Sequence, residues 1–141
     1  MKIEYSRRAS YTPAYGLLAE GWNELVQSGL VPEQTGLSPV AWDNEVFYAV
    51  SDEGDIVGVI AWAASQQSAV YEVKLAYVEP SSRRRGVFRA MFEELAARAR
   101  KNNVVRIGSS VHTGNTVARM AFEKAGGIPA AVVFEHDMFM S

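Results

Sequence analysis

The chain contains no cysteine. Disulfides, thiolate metal sites and cysteine nucleophiles are therefore excluded together. No stretch approaches about 18 unbroken apolar residues, so nothing in the sequence reads as a membrane span. The opening Met1-Lys2-Ile3-Glu4-Tyr5 lacks the apolar run of a secretory signal peptide. With the missing cysteines, this leads us to expect a cytoplasmic protein. Charge of one sign is not in excess either. Fourteen Lys and Arg stand against sixteen Asp and Glu, for a net charge of −2. The chain as a whole is thus no nucleic-acid binder by charge, and any basic site must be local. Neither G-x-x-x-x-G-K-[ST] nor G-x-G-x-x-G occurs, which disfavours nucleotide hydrolysis and dinucleotide binding. No metal site is expected, and no repeat, linker or low-complexity tract is visible.

What remains is an ordinary globular composition, 48% hydrophobic and 21% charged over 141 residues. That length fits one domain of about 100–200 residues, spanning 1–141. A chain of this size buries roughly two-thirds of its unfolded surface. In order, Lys2 to Tyr5 alternates as a first strand. Thr12-Pro13 opens a helix, threonine as cap and proline at the first helical position. Its apolar face is Leu17, Leu18, Trp22, Leu25 and Val26, and Gly29 ends it. Gly29 to Gly36 reads as a mobile loop, and Ser38-Pro39 caps a short second helix through Asn44. Glu45–Ser51 and Ile56–Ala64 form a hairpin across Asp52-Glu53-Gly54-Asp55. Ser65 to Ser68 is a polar turn, and a third consecutive strand runs from Ala69 to Val78.

A helix follows to about Lys101, with Glu94 and Arg98 spaced for an i,i+4 pair on its outer face. Asn102-Asn103 breaks it, and Val104–Val111 is a strand. Strand, helix, strand implies a parallel pair with a right-handed crossover. A last helix spans about Asn115 to Ala125, ended by Gly126-Gly127, and one extended segment, Ile128–Met140, closes the chain. The fold class is α+β: a mixed sheet with an antiparallel front, one parallel crossover pair and flanking helices.

The most informative stretch is Tyr77 to Arg89. Pro80 stops the strand, since proline cannot donate to a ladder. Val87, Phe88, Met91, Phe92, Leu95, Ala96 and Ala99 then recur at helical spacing. The first amides of such a helix have no internal partner, and its dipole leaves partial positive charge there. Arg83, Arg84 and Arg85 stand at the same end, and Gly86 offers no side chain to block an approaching ligand. Together they suit a bound phosphate or pyrophosphate. Alone, the arginines would read as a solvated basic turn or an RNA contact.

Arg83-Arg84-Arg85-Gly86-Val87-Phe88 resembles the R/Q-x-x-G-x-G/A signature of the GNAT superfamily of N-acetyltransferases, departing from it at Phe88. Asn115, Ala118, Phe122, Glu123, Lys124 and Gly126 resemble that family's N-x-x-A-x-x-x-Y-E-K-x-G, departing at Phe122. The order of elements is similar to the GNAT fold over most of the chain, most strongly from Glu72 to Gly126. The family usually ends in two strands. Here only the residues after Gly127 remain, so we expect one final strand, with an edge that a second copy of the chain could cover in a homodimer.

The resemblance implies acetyl-CoA as co-substrate and an amine-bearing small molecule or protein as acceptor. Pantetheine would pair with backbone groups of Ala76, Tyr77 and Val78. The pyrophosphate would rest on amides from Arg84 through Gly86, Val87 and Phe88 to Arg89, beneath the side chains of the arginine trio. The two parallel strands must part to admit the thioester. Asn115 would serve the pantetheine arm, and Phe122 takes the place of a tyrosine that protonates the departing thiolate. Glu72 is the family-like general base, His112 a second acid or base near neutral pH. Each has an ordinary alternative: Glu72 as a solvated strand residue, His112 as a strand-end histidine. Tyr77, Ser109 and Ser110 are substitutes for the missing phenol or else packing and strand-surface residues. Trp22, Trp42 and Trp62 could line an acceptor pocket or sit in the core. Glu20, Asp43 and Glu45 could attract a cationic amine or be surface charge.

Three functions follow in order: an acetyl-CoA-dependent N-acetyltransferase working by direct attack of an amine, a catalytically weak or inactive acyl-CoA-binding module on the same fold, and a basic-loop RNA binder.

Overall fold

The computed structural model describes residues 1–31, 44–65 and 69–130. Among these, five strands form one sheet in the order β1-β2-β3-β4-β5. The strands are β1 (Lys2–Ser6), β2 (Glu45–Val50), β3 (Ile56–Ser65), β4 (Val70–Val78) and β5 (Arg106–Ser109). The first four pair antiparallel in sequence, and β4 pairs β5 in parallel. Three helices flank the sheet: α1 (Tyr15–Ser28), α2 (Val87–Lys101) and α3 (Thr116–Lys124). This is the α+β architecture expected, with its one parallel pair in the expected place.

Alternation along the strands sorts apolar side chains into two clusters. Phe47, Ile60, Trp62, Tyr71 and Val73 face α2, where they meet Val87, Met91, Leu95 and Ala99. Val46, Val59, Ala61 and Leu75 face α1, where they meet Ala14, Leu17 and Leu18. Trp62, Ile60, Met91 and Leu95 are fully buried. Burying each such side chain is worth about 1.5–3 kcal/mol, so the α2 side carries much of the packing. Trp62 is thereby core, stacked on Phe47 at 5.2 Å, while Trp22 is half-buried at the margin of the α1 cluster.

Several expectations are corrected. Thr12 does not cap α1. Its hydroxyl donates backward to the Ala9 carbonyl at 2.9 Å, closing a 3-10 turn at Ala9–Tyr11, and α1 begins later, at Tyr15, with Ala14 at its N-cap. Local side-chain bonding of this kind competes with the helical cap. Val26 leaves the apolar face and is 48% exposed, as α1 runs off the sheet before Gly29 ends it in the left-handed conformation (φ 68°). Arg98 is not on the outer face of α2. Its guanidinium turns in toward the sheet face that α2 covers, to Glu45 at 3.0 Å and the Tyr5 hydroxyl at 2.7 Å, and it lies over the Tyr5 ring at 3.9 Å. The i,i+4 pair on α2 is instead Arg89–Glu93 at 3.1 Å. β5 covers only Arg106–Ser109 of the anticipated Val104–Val111. The second helix, Trp42, Asp43 and nearly all of the final extended segment lie outside the described residues; Ile128 to Ala130 is irregular.

Candidate functional site

The site begins with an irregularity in β4. Leu75 pairs Ala61 and Val73 pairs Trp62, so Lys74 is an extra residue without a partner on β3. Such a bulge bends its strand and reverses the alternation beyond it. Tyr71 and Val73 accordingly face α2, whereas Leu75 and Tyr77 face α1. The parallel ladder stops at the same level. Its last pair is Val73↔Ser109, and Lys74–Val78 continues without β5 beside it. Among the described residues, β4 therefore has no strand beside it on that edge along Ala76, Tyr77 and Val78.

At the end of that edge the chain turns through a 3-10 turn, Pro80–Ser82, into the arginine loop. Arg84 takes a left-handed conformation (φ 64°) that an arginine rarely adopts, and Gly86 takes another (φ 79°) at the N-cap of α2. A side chain at Gly86 would carry the steric cost of that conformation, so glycine belongs there. No side chain caps α2, and no acidic residue lies in its first turn. The amides of Arg84 through Arg89 meet no acceptor among the described residues. Free amides, the helix dipole and the absence of a competing carboxylate make this opening receptive to an anion.

Phe88 does not obstruct it. Its ring stacks on Phe92 at 5.9 Å and meets Phe122 edge-on at 5.4 Å, forming the seam between α2 and α3. The departure from a small residue at Phe88 thus pairs with the departure from tyrosine at Phe122. The opening of α2 is also pressed close to the sheet. A Cβ on Gly58 of β3 would lie 2.8 Å from Val87 Cγ1.

The three arginines divide. Arg84 and Arg85 are exposed and have no partner among the described residues. Arg83 is engaged: its Nε donates to the Val78 carbonyl at 2.8 Å and its terminal nitrogen to both Glu24 carboxylate oxygens at 3.2 Å. It also lies over the Tyr77 ring at 5.4 Å. One of the backbone acceptors expected to be open at Val78 is therefore satisfied by Arg83. Burial, followed by the nearby Glu24 carboxylate, raises the Tyr77 phenol above the usual tyrosine value.

Glu72 sits at the base of the split, paired with Ala63 on one side and Gly108 on the other. Alternation from Tyr71 and Val73 puts it on the α1 face, half-buried. Its carboxylate lies across Gly108, where an added Cβ would come within 2.9 Å of Oε2. His112 lies in the turn between β5 and α3. Its Nδ1 accepts the Gly114 amide at 3.0 Å and its carbonyl accepts the Asn115 amide at 2.9 Å. Neutral His112 therefore carries its ring hydrogen on Nε2. Asn115 caps α3 through Oδ1, which accepts from the Ala118 amide at 3.2 Å. Its Nδ2 has no partner among the described residues. Ser109 and Ser110 are exposed.

Ala76, Tyr77, Val78 and Arg83 to Arg89 form one continuous strand–turn–helix surface, and Phe122 joins it through Phe88. Glu45 does not belong to this site. It faces α2 and pairs with Arg98, on the opposite side of the sheet from α1. Sequence reasoning missed Glu24 as the partner of Arg83, for which only the opposite charges were a signal. It also missed the Lys74 bulge, which leaves none.

A model of the acetyltransferase (GNAT) family matches residues 14–127. A search of curated proteins finds no match. Among solved structures, the chain is similar to a ribosomal-protein-alanine N-acetyltransferase from Brucella melitensis biovar Abortus, at 16% identity and TM-score 0.65, covering 98% of this chain and 100% of that one. It is also similar to the aminoglycoside N-acetyltransferase AAC(6')-Iy in complex with CoA, at 18% identity and TM-score 0.64, covering 96% and 98%. An aminoglycoside acetyltransferase from an uncultured soil metagenomic sample, in complex with sisomicin, aligns at 13% identity and TM-score 0.68, covering 97% and 95%. At these identities the likeness concerns the fold.

Proposed function

The chain belongs to the GNAT acetyltransferase family, and from that premise we propose that it transfers the acetyl group of acetyl-CoA to an amine by direct attack. The observation that carries this reading is the coincidence of two features at one place. An open β4 edge past the Lys74 bulge runs directly into a helix opening with free amides and no competing acid. An extended arm ending in a diphosphate matches that sequence of surfaces, so the residues present fit acetyl-CoA.

In this proposal the amides of Arg84 to Arg89 hold the diphosphate, with the Arg84 and Arg85 side chains over it. The backbone of Ala76 to Val78 orients the pantetheine, and a backbone N–H there polarises the thioester carbonyl. Asn115 Nδ2, without a partner among the described residues, would donate to the arm. Acetyl-CoA supplies the activated acyl group; the amine nitrogen bonds to the carbonyl carbon and the carbon–sulfur bond breaks.

An amine with a pKa of about 10.4 is mostly protonated near neutrality, so a base must take its proton. Glu72, on the α1 face at the base of the split, does so through water. His112, with its hydrogen on Nε2, would steady the departing thiolate by a hydrogen bond, and water supplies the proton that the sulfur takes up. A thiol of pKa about 8.5 leaves with little assistance, which makes a phenol at position 122 dispensable. The fold's neighbours that take aminoglycosides and a ribosomal protein suggest the range of acceptors, a cationic small amine or a protein amine.

The test is release of free CoA thiol from acetyl-CoA with a panel of amines and peptides. A second reading, an acyl-CoA-binding module without turnover, is favoured by Phe122, whose ring is packed against Phe88 and Phe92 and has no proton to give. CoA binding without thiol release across the panel, and activity created by Phe122→Tyr, would select it.

A further inference from the structure

We propose that Arg83 and Glu24 form a positioning link that fastens α1 to the helix opening of α2, so that Arg83 orients the loop rather than serving as a phosphate ligand. The proposal rests on the CoA-binding reading above for its consequence, but its geometry is independent of it. Arg83 is the first of three consecutive arginines, yet it alone of the three has partners among the described residues. Its Nε is spent on the carbonyl of Val78, the last residue of β4, at 2.8 Å. Its terminal nitrogen is spent on Glu24, in the third turn of α1, at 3.2 Å to each oxygen. The guanidinium carbon lies over the Tyr77 ring at 5.4 Å. α1 can reach this position because residue 21 is glycine. A Cβ there would lie 2.9 Å from Tyr77 Cβ.

Four groups on three elements thus close one ring of contacts: Glu24 on α1, Tyr77 and Val78 on β4, and Arg83 on the loop. Both Arg83 and Glu24 side chains are partly exposed, at 39% and 47%, so the pair adds little to global stability. Its effect is local. Arg84, next in the chain, sits in a strained left-handed conformation that persists only when its surroundings fix it. Holding Arg83 at two points fixes one side of that residue. The amides that follow are then preorganised, and preorganisation is recovered as affinity. The same link makes α1, which borders the acceptor side, sensitive to whether the loop is occupied.

The experiment uses ¹⁵N NMR and CoA calorimetry on wild type, Glu24→Gln, Arg83→Met and Arg83→Gln. Gln places its amide nitrogen where the Arg Nε stands, so it retains the bond to Val78 while losing the charge. In the ligand-free protein we expect order parameters of about 0.85 for the Arg84–Val87 amides in wild type, falling below about 0.6 in Arg83→Met, with intermediate values in Glu24→Gln and in Arg83→Gln, which keeps the Val78 bond but cannot reach Glu24. CoA affinity should fall about tenfold in Arg83→Met and a few-fold in both Glu24→Gln and Arg83→Gln.

Unchanged loop order in both Glu24→Gln and Arg83→Met overturns the link. So does tighter CoA binding by Glu24→Gln, which would mean that Glu24 competes with phosphate for Arg83, as does a loss of CoA affinity in Arg83→Met with loop order unchanged, which would mean the charge is what CoA uses. If wild type binds no CoA, the functional reading fails, while the order parameters still decide the link.

Discussion

Gly58 is where the sheet fixes the position of the helix opening, and replacing it by alanine should be felt at the cofactor site. The added methyl would lie 2.8 Å from Val87 Cγ1 and 3.1 Å from Met91 Cε. Carbon–carbon contacts are comfortable at about 3.5–4.0 Å, so the overlap with Val87 is close to 1 Å. Met91 can swing its thioether aside. Val87 cannot, because a β-branched side chain in a helix has one strongly preferred rotamer. The first turn of α2 must therefore rise from the sheet and carry the Gly86–Arg89 amides with it. Overpacking of this kind costs about 1–3 kcal/mol, a melting shift of roughly 3–10 °C for a domain of this size.

CoA affinity should fall about tenfold as the amides leave their places, a loss of about 1.4 kcal/mol. The decisive variant is Gly58→Ala with Val87→Ala. Val87→Ala alone loses about 1.6 kcal/mol of buried methyl groups. If the clash is the cause, the double variant recovers at least about 1 kcal/mol against the sum of the singles, and CoA binding recovers with it. Strict additivity in melting and calorimetry, or an unaltered CoA affinity in Gly58→Ala, would refute the reasoning.

Glu72→Gln should lower amine acetylation by about 10²–10⁴-fold in kcat with CoA affinity unchanged, and a loss below about threefold in kcat would remove Glu72 as base. Gly108→Ala, whose methyl would press on Glu72 Oε2, should lower kcat in the same direction without touching the carboxylate. Arg98→Met removes a charge-assisted pair with Glu45 and should destabilise by about 1.5–3 kcal/mol in denaturant melts, with no effect on CoA binding. Tyr5 is raised to about 12, first by burial and then by its hydrogen bond to Glu45. The folded value lies above the unfolded one, so the folded state holds a proton the unfolded state has released. The stabilising contribution is complete below the ordinary tyrosine value near 10 and is lost as pH rises from there to about 12. Ultraviolet titration should show the late phenol, and Glu45→Gln should lower it.

Much of the framework was legible from local signals. Alternation located β1, strand-like composition and the turns between located β2 to β4, the apolar spacing from Val87 to Ala99 located α2, and Gly29 and Gly126 marked helix ends, because these features are written in neighbouring residues. The arginine loop and its glycine were legible for the same reason. What could not be read depends on distant partners. Arg98 looked like half of an i,i+4 pair with Glu94, but a half-buried Glu45 and a tyrosine ring across the sheet outcompete a solvated neighbour. Thr12 looked like a cap, but its hydroxyl found the carbonyl three residues back. The Lys74 bulge, which opens the β4 edge, follows from how β3 and β5 pair around it. The division of labour within Arg83-Arg84-Arg85 likewise depends on Glu24, brought in from α1.

The most direct measurement is an ¹⁵N–¹H titration of the protein with CoA, followed at the amides of Gly86, Val87, Phe88 and Arg89. A diphosphate docked on the opening of α2 predicts saturable downfield shifts at these residues, with smaller shifts along Ala76–Val78, and the same helix-opening shifts from inorganic pyrophosphate at higher concentration. Saturating CoA with those four amides unmoved would contradict it.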